Sequence, residues 1–274
     1  MTSVPHITLN NGVRMPQLGF GVFQVPDDET ATAVGHALDA GYRSIDTAAV
    51  YGNERGVGRA VADSGLPREE LFVTTKLWNA DQGHDRTLAA FDASLDKLGL
   101  DHVDLYLIHW PTPARELYVE TYRALEKILA DGRARAIGVS NFQVPHLRRL
   151  MEHTGTVPAV NQVELHPGLQ QRELRAFHAE HGIATEAWSP LAQGAVLDDE
   201  AVVRIAQANG VTPAQVVLRW HLATGNIVIP KSVTPARIRQ NLDVFGFDLT
   251  DADLAALADL DRGLRTGPDP DTLN

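Results

Sequence analysis

Asp46-Thr47-Ala48-Ala49-Val50-Tyr51-Gly52-Asn53-Glu54 closes the short apolar run Ser44-Ile45-Asp46 and leads into a helix. It puts a carboxylate at the end of a strand and a phenol on the loop behind it. Alone, the pair reads as a cap and a packed ring. Two further runs end in the same manner. Phe72-Val73-Thr74-Thr75-Lys76 ends in a lysine, and Leu105-Tyr106-Leu107-Ile108-His109 in a histidine. Three apolar runs, each ending in a different ionisable residue, point to one shared site built at strand ends.

Outward from there, strand-like and helix-like segments alternate along the chain. Ile7-Thr8-Leu9 and Val13-Arg14-Met15 flank Asn10-Asn11-Gly12 and read as a hairpin. Leu18-Gly19-Phe20-Gly21 is a short strand whose glycines allow a close backbone approach. The later strands are Ala136–Ser140, Ala159–Glu164, Ile183–Trp188 and Ile227–Ile229, and a helix follows each. Eight strand–helix units in a chain of 274 residues predict an α/β fold, a (β/α)8 TIM barrel with an N-terminal β-hairpin. Two helices, Glu200–Asn209 and Asp251–Leu260, are extra to the eight units. An open doubly wound sheet is the alternative, but its glycine fingerprint after the first strand is missing. No linker divides the chain, so residues 1–274 read as a single domain. The tail after Gly263 is rich in Gly, Pro and Asp, and its composition predicts partial order at best.

A net charge of −11 opposes a broad nucleic-acid or anionic-membrane surface but leaves room for a local cationic pocket. With no cysteine there is neither a disulfide framework nor a thiolate metal site. The start Met1-Thr2-Ser3-Val4-Pro5-His6 lacks the features of a signal peptide, and no apolar run is long enough to span a membrane. The expectation is a cytoplasmic monomer acting on a small molecule.

In a barrel of this kind the active site lies at the C-terminal ends of the strands. Asp46, Lys76 and His109 end strands two, three and four, and Tyr51 follows strand two. This set suits protonation of a carbonyl oxygen. A tyrosine, with a reference pKa near ~10, is a weak acid at neutral pH. A lysine ~4 Å away favours phenolate by up to ~4 kcal/mol at an effective dielectric of ~20. The expectation is therefore that Lys76 lowers the Tyr51 pKa, that Asp46 keeps Lys76 charged, and that His109 orients the carbonyl.

The chain resembles the aldo-keto reductase family over most of its length, from Leu18 to Asn241. The motifs that carry the resemblance are Asp46 to Glu54, Thr75-Lys76-Leu77-Trp78, Ile108-His109-Trp110-Pro111 and Ile137-Gly138-Val139-Ser140-Asn141-Phe142. Asn161-Gln162-Val163-Glu164-Leu165-His166-Pro167 and Ile229-Pro230-Lys231-Ser232 add to them. The run Pro213 to His221 is similar to the bacterial branch containing 2,5-diketo-gluconate reductases. The resemblance implies a catalytic tetrad of Asp46, Tyr51, Lys76 and His109, with the tyrosine as proton donor. It implies NADPH/NADP+ bound across the barrel rim and a small carbonyl substrate: aldehydes, dicarbonyls or keto-sugar acids.

By the same resemblance Ser140, Asn141 and Gln162 hold the nicotinamide carboxamide, and Trp188 stacks on the ring. Ser189, Leu191 and Gln193 match the loop over the pyrophosphate, and Gly21 completes the cofactor set. Lys231, Ser232, Val233, Thr234 and Arg237 match the 2′-phosphate site. A cation pair beside a helix N-terminus is independently a ready anion site. Asn241 matches an adenine contact, and Gln240 stands where the family often has glutamate. Phe23, Trp78 and Trp110 match the walls of the carbonyl pocket, Phe23 replacing a tryptophan and its indole donor. His166 has no second histidine at ligand spacing and is not read as a metal site.

Two other classes stay open on the sequence. Lys76 could be the nucleophile of a Schiff-base aldolase on the same barrel. A cofactor-binding regulatory subunit, like the reductase-fold partners of potassium channels, would keep the cofactor residues with little turnover.

Overall fold

The computed structural model describes residues 4–274 of the chain, so the part of the N-terminal reading that concerns Met1, Thr2 and Ser3 lies outside the described residues. The hairpin forms first, from β1 (His6–Thr8) and β2 (Arg14–Pro16), which pair antiparallel. Eight strands then form one parallel sheet: β3 (Phe20–Gly21), β4 (Ser44–Asp46), β5 (Phe72–Leu77), β6 (Val103–Ile108), β7 (Ala134–Ser140), β8 (Val160–Glu164), β9 (Ala184–Trp188) and β10 (Ile227–Val228). Each strand lies beside its successor in the chain.

The first and last strands also meet. Leu18 bridges Val228 in parallel, the Gly19 N–H donates to the Val228 carbonyl at 2.9 Å, and the Val228 N–H donates to Gln17 at 2.9 Å. These bonds curl the sheet into a ring, which fits a (β/α)8 barrel and leaves no open edge for a doubly wound sheet. Strand one is shorter than Leu18–Gly21, because only Phe20 and Gly21 pair with β4. What comes close to Gly21 is the neighbouring strand: a Cβ there would lie 3.1 Å from the Ile229 carbonyl oxygen.

The helices are α1 (Asp27–Ala40), α2 (Glu54–Asp63), α3 (His84–Leu98), α4 (Tyr118–Ala130), α5 (Val144–His153), α6 (Arg172–His181), α7 (Glu200–Asn209), α8 (Pro213–Ala223), α9 (Pro235–Leu242) and α10 (Asp251–Ala258). Their starts follow local chemistry. The Thr212 hydroxyl accepts from the Gln215 N–H in a capping box ahead of Pro213, and Thr250 does the same for Asp253.

Side chains alternate between the two faces of each strand, and this alternation divides the interior. On β6, Tyr106 and Ile108 join the large core shared with the helices, while Leu105 and Leu107 join a second cluster with Leu9, Met15, Phe72 and Ala136. Leu9 and Met15 belong to the hairpin, so the hairpin plugs the mouth of the barrel where the strands begin. Each large apolar side chain sealed in this way stabilises the fold by roughly 1.5–3 kcal/mol. Toward the strand ends the inward positions change character: Asp46, Lys76, Ser140, Gln162, Glu164 and Glu186 are all buried.

The tail departs from its compositional expectation. Thr266 donates through its N–H and its hydroxyl to Glu164 Oε1, at 2.5 and 2.6 Å, and the Gly267 N–H donates to Glu164 Oε2 at 3.1 Å. A buried carboxylate at the end of β8 therefore holds a segment whose own sequence has little reason to order.

Candidate active site

The loop after β4 carries Tyr51 and is closed by its own side chains. The Thr47 hydroxyl donates to Asn53 Oδ1 at 2.7 Å, and Asn53 Nδ2 donates to the Val22 and Val25 carbonyls at 2.9 Å each. A short 3-10 turn, Ala49–Tyr51, then sets the phenol at the rim. Beneath it Lys76 is fully buried. Its ammonium donates to Asp46 Oδ1 at 2.6 Å and to the Thr47 carbonyl at 2.8 Å, and it lies 5.1 Å from the centre of the Tyr51 ring. His109, one residue beyond the end of β6, keeps its backbone in line by donating to the Leu77 carbonyl at 3.2 Å. Its ring centre is 5.6 Å from that of Tyr51. The four residues expected at one rim are brought together.

The electrostatics correct one expectation. Burial pushes the Tyr51 phenol above its ordinary pKa; the Lys76 charge pulls it down, while Asp46 and Glu186 push it further up. The net shift is upward, whereas Lys76 considered alone predicts a fall. Part of Tyr51 reaches solvent at the rim, which tempers the rise. Burial would lower the Lys76 ammonium, but Asp46 and Tyr51 outweigh it and hold its pKa above the ordinary value. Burial, with Lys76 nearby, holds His109 well below the usual histidine range, so its ring is neutral. Its Nδ1 has no hydrogen-bond partner among the described residues. A Schiff-base nucleophile needs a neutral, reachable amine. Lys76 is charged, buried and doubly bonded, which disfavours the aldolase reading.

The expected pocket walls form a run of rings. Phe23 lies 5.0 Å from Tyr51, Trp78 5.5 Å from His109, Trp110 6.4 Å from His109, and Trp188 6.4 Å from Trp110. Phe23 is 55% exposed, so a large apolar ring stands open at the mouth of the site.

The expected cofactor residues fall into two groups. Near the tetrad, the Ser140 hydroxyl donates to the Gln162 carbonyl at 2.7 Å, and the Trp188 indole N–H donates to Asn141 Oδ1 at 2.8 Å. Asn141 Nδ2 donates to the His109 carbonyl at 2.9 Å. The Gln162 amide donates to Asp46 Oδ2 at 2.7 Å and to Glu186 Oε2 at 2.9 Å, so both its N–H groups are used inside the barrel. Its oxygen is the atom left for a carboxamide. Asn141, Ser189 and Gln193 have φ of 64°, 45° and 54°, unusual values for residues with side chains. Such backbone strain gathers at binding sites. Leu191 lies in the same turn, just before the 3-10 segment Ala192–Gly194.

The second group surrounds the start of α9. Lys231, Val233, Thr234, Arg237 and Gln240 are exposed, Ser232 is half-buried and Asn241 is buried. Neither Lys231 nor Arg237 forms an ion pair among the described residues. Thr234 makes no side-chain cap, so the positive end of α9 faces outward beside two free cations. These residues fit a phosphorylated group.

Sequence reasoning did not single out Glu186 or the pairing of Glu164 with the tail. Strand parity could have found the first, since Glu186 shares the inward face with Trp188, two residues on. His166 Nε2 lies 3.2 Å from Glu164 Oε1 and so belongs to the tail's anchor.

The sequence profile of the Aldo/keto reductase family matches residues 17–262. The chain belongs to the aldo/keto reductase family. An aldo-keto reductase of Mycolicibacterium smegmatis is 58% identical over 270 residues, 98% of each chain. A methylglyoxal reductase, DkgA of Escherichia coli K12, is 53% identical over 97% of this chain and 96% of its own. Among solved structures, a mutant of Gox0644 in complex with NADPH is 52% identical with a TM-score of 0.96, covering 100% of both chains. No helix of this aldo/keto reductase, among the described residues, is long and apolar enough to cross a membrane.

Proposed function

We propose that this aldo/keto reductase reduces small aldehydes and dicarbonyls to alcohols with NADPH, Tyr51 giving the proton. The observation that carries the reading is the buried chain Asp46–Lys76 beneath Tyr51, with neutral His109 across the same mouth. When bound, the reduced nicotinamide supplies a hydride to the carbonyl carbon. The chain's own residues do the rest. At neutral pH Tyr51 is protonated, as burial requires, and so holds the proton that the carbonyl oxygen takes. Charged Lys76 stabilises the phenolate left behind, and Asp46 keeps that charge in place. Neutral His109 keeps one ring N–H that can orient the carbonyl oxygen.

Ser140, Asn141, Gln162 and Trp188 would hold the nicotinamide end of the cofactor, with Gly21 beside it. Ser189, Leu191 and Gln193 would cover its pyrophosphate. Lys231, Ser232, Val233, Thr234 and Arg237 would take the 2′-phosphate, and Gln240 and Asn241 the adenine. Phe23, Trp78 and Trp110 would line the substrate mouth, where an apolar wall with few donors favours small carbonyls over highly hydroxylated ones. The name of the Escherichia coli relative, methylglyoxal reductase, supports a dicarbonyl; keto-sugar acids rest on the branch resemblance alone. Residues 1–274 act as a single barrel domain, α7 and α10 being additions to its eight units. Every group invoked comes from one chain, so a monomer suffices.

The test is NADPH oxidation, followed by absorbance, against short aldehydes, methylglyoxal, diketones and keto-sugar acids. Turnover on the small carbonyls is expected. NADPH binding without turnover on any of them would favour the regulatory-subunit reading instead.

A further inference from the structure

The site described so far leaves one buried ionisable group without a task. Glu186 faces into the barrel from β9, in register with Gln162 on β8 and Ile227 on β10. It is wholly buried. One amide nitrogen, Gln162 Nε2, spans Glu186 Oε2 at 2.9 Å and Asp46 Oδ2 at 2.7 Å, giving one N–H to each. The other Asp46 oxygen takes the Lys76 ammonium at 2.6 Å. Glu186 Oε1 is buried with no partner among the described residues. A buried carboxylate with one bare oxygen and a second carboxylate across a shared amide is costly; the neutral acid avoids that cost.

We propose, on the basis of the reductase reading, that Glu186 is a positioning residue of this site. Through Gln162 it holds Asp46 against Lys76, and its own proton governs how strongly that pair favours loss of the proton from Tyr51. The charged or titratable groups facing it are Asp46 on β4, Lys76 on β5 and Tyr51 on the turn after β4. Burial pushes the Glu186 carboxyl up to about 8, the Asp46 charge adds to the rise, and Gln162 and Lys76 oppose it. Near neutrality the network therefore holds one carboxylate and one ammonium. As pH rises through that range Glu186 releases its proton to solvent and a second negative charge enters the network. That charge makes Tyr51 a poorer acid. Tyr51 stays protonated but gives up its proton less readily, so reduction slows before Tyr51 itself ionises.

Glu186→Gln keeps the shape and the oxygen that accepts from Gln162, but cannot titrate. The wild-type kcat for NADPH-dependent reduction is expected to fall along an alkaline limb near the Glu186 titration. In the variant that limb should be lost, leaving kcat level until Tyr51 itself ionises, with the KM for NADPH unchanged. A brace with no electrostatic role would leave the two profiles superimposed, and that result overturns the proposal. Should the variant not fold, infrared difference spectroscopy on the wild-type protein decides the matter. A protonated-carboxyl band should be present at neutral pH and vanish as pH rises through the same range. Its absence at neutral pH overturns the proposal equally. The infrared measurement needs no turnover, so its failure is separable from a failure of the reductase reading, which an inactive wild-type protein would show.

Discussion

Glu164 and Thr266 are joined by two hydrogen bonds to one carboxylate oxygen, and they fasten the end of the chain to the rim of the barrel. Hydrogen bonds from His166, Thr266 and Gly267 outweigh burial and hold Glu164 below its ordinary pKa, so it is ionised at neutral pH. Hydrogen bonds to a charged acceptor contribute about 1.5–3 kcal/mol. Glu164→Gln should free the segment, and exchange of the Thr266 and Gly267 amide protons should quicken by at least about tenfold. Unchanged exchange would show that other contacts hold the tail.

The tail also touches Trp188, the ring proposed to stack on the nicotinamide. A Cβ on Gly267 would lie 2.4 Å from Trp188 Cη2, closer than any packed pair allows. Gly267→Ala should displace the Trp188 ring and weaken its bond to Asn141. A changed Trp188 position in a crystal structure of the variant, with weaker NADPH binding, is the expected outcome.

Tyr51→Phe keeps the ring and removes the proton. Turnover should fall by about 10²–10⁴-fold, the usual contribution of general acid catalysis, while NADPH affinity stays. A variant that kept half the wild-type rate, with chemistry limiting, would end the case for Tyr51 as the acid.

Lys76→Met tests fold and chemistry together, because it leaves Asp46 as an uncompensated buried charge. Such a loss costs about 3–5 kcal/mol, which urea unfolding would register. The residual activity should also fall, since the phenolate loses its ammonium. Asp46→Asn combined with Lys76→Met should recover part of the stability but none of the turnover.

Arg237→Ala should weaken NADPH by roughly 1.5–3 kcal/mol and leave NADH almost untouched, since only NADPH carries the 2′-phosphate. Titration of both cofactors by tryptophan fluorescence checks this. Equal losses would place the phosphate elsewhere.

Acid should destabilise the fold well above the carboxylate range. Burial, with Arg175 adding, lowers His178 to about 3; burial is also the chief cause that lowers His221 to about 3. Both are neutral in the fold but take up a proton near 6.5 once unfolded. Between those values the unfolded state binds more protons, so stability falls as pH drops through that window. The slope should reach about 1.4 kcal/mol per pH unit for each histidine. His178→Gln should flatten the curve if this account holds.

Much of the protein was legible along the chain. The alternation of strands and helices set the α/β class, and parallel strands carry their last residues to one face. Asp46, Tyr51, Lys76 and His109 could therefore be placed at one rim from their positions in consecutive segments. Phe23, Trp78 and Trp110, and the cations Lys231 and Arg237 around the start of α9, were singled out by the family motifs instead. What the chain could not show by itself depended on contacts between distant segments. Closure of the ring sets Leu18 beside Val228 through the hydrogen bonds that join Val228 to Gln17 and Gly19. Glu186 enters the tetrad's network only because β8 and β9 pair in the register that sets it against Gln162. The tail orders because a buried carboxylate far back in the chain receives it. The direction of the Tyr51 shift was also decided in three dimensions. One lysine's pull can be reckoned from a motif, but burial is the sum of everything packed around the phenol, and here it outweighs that pull.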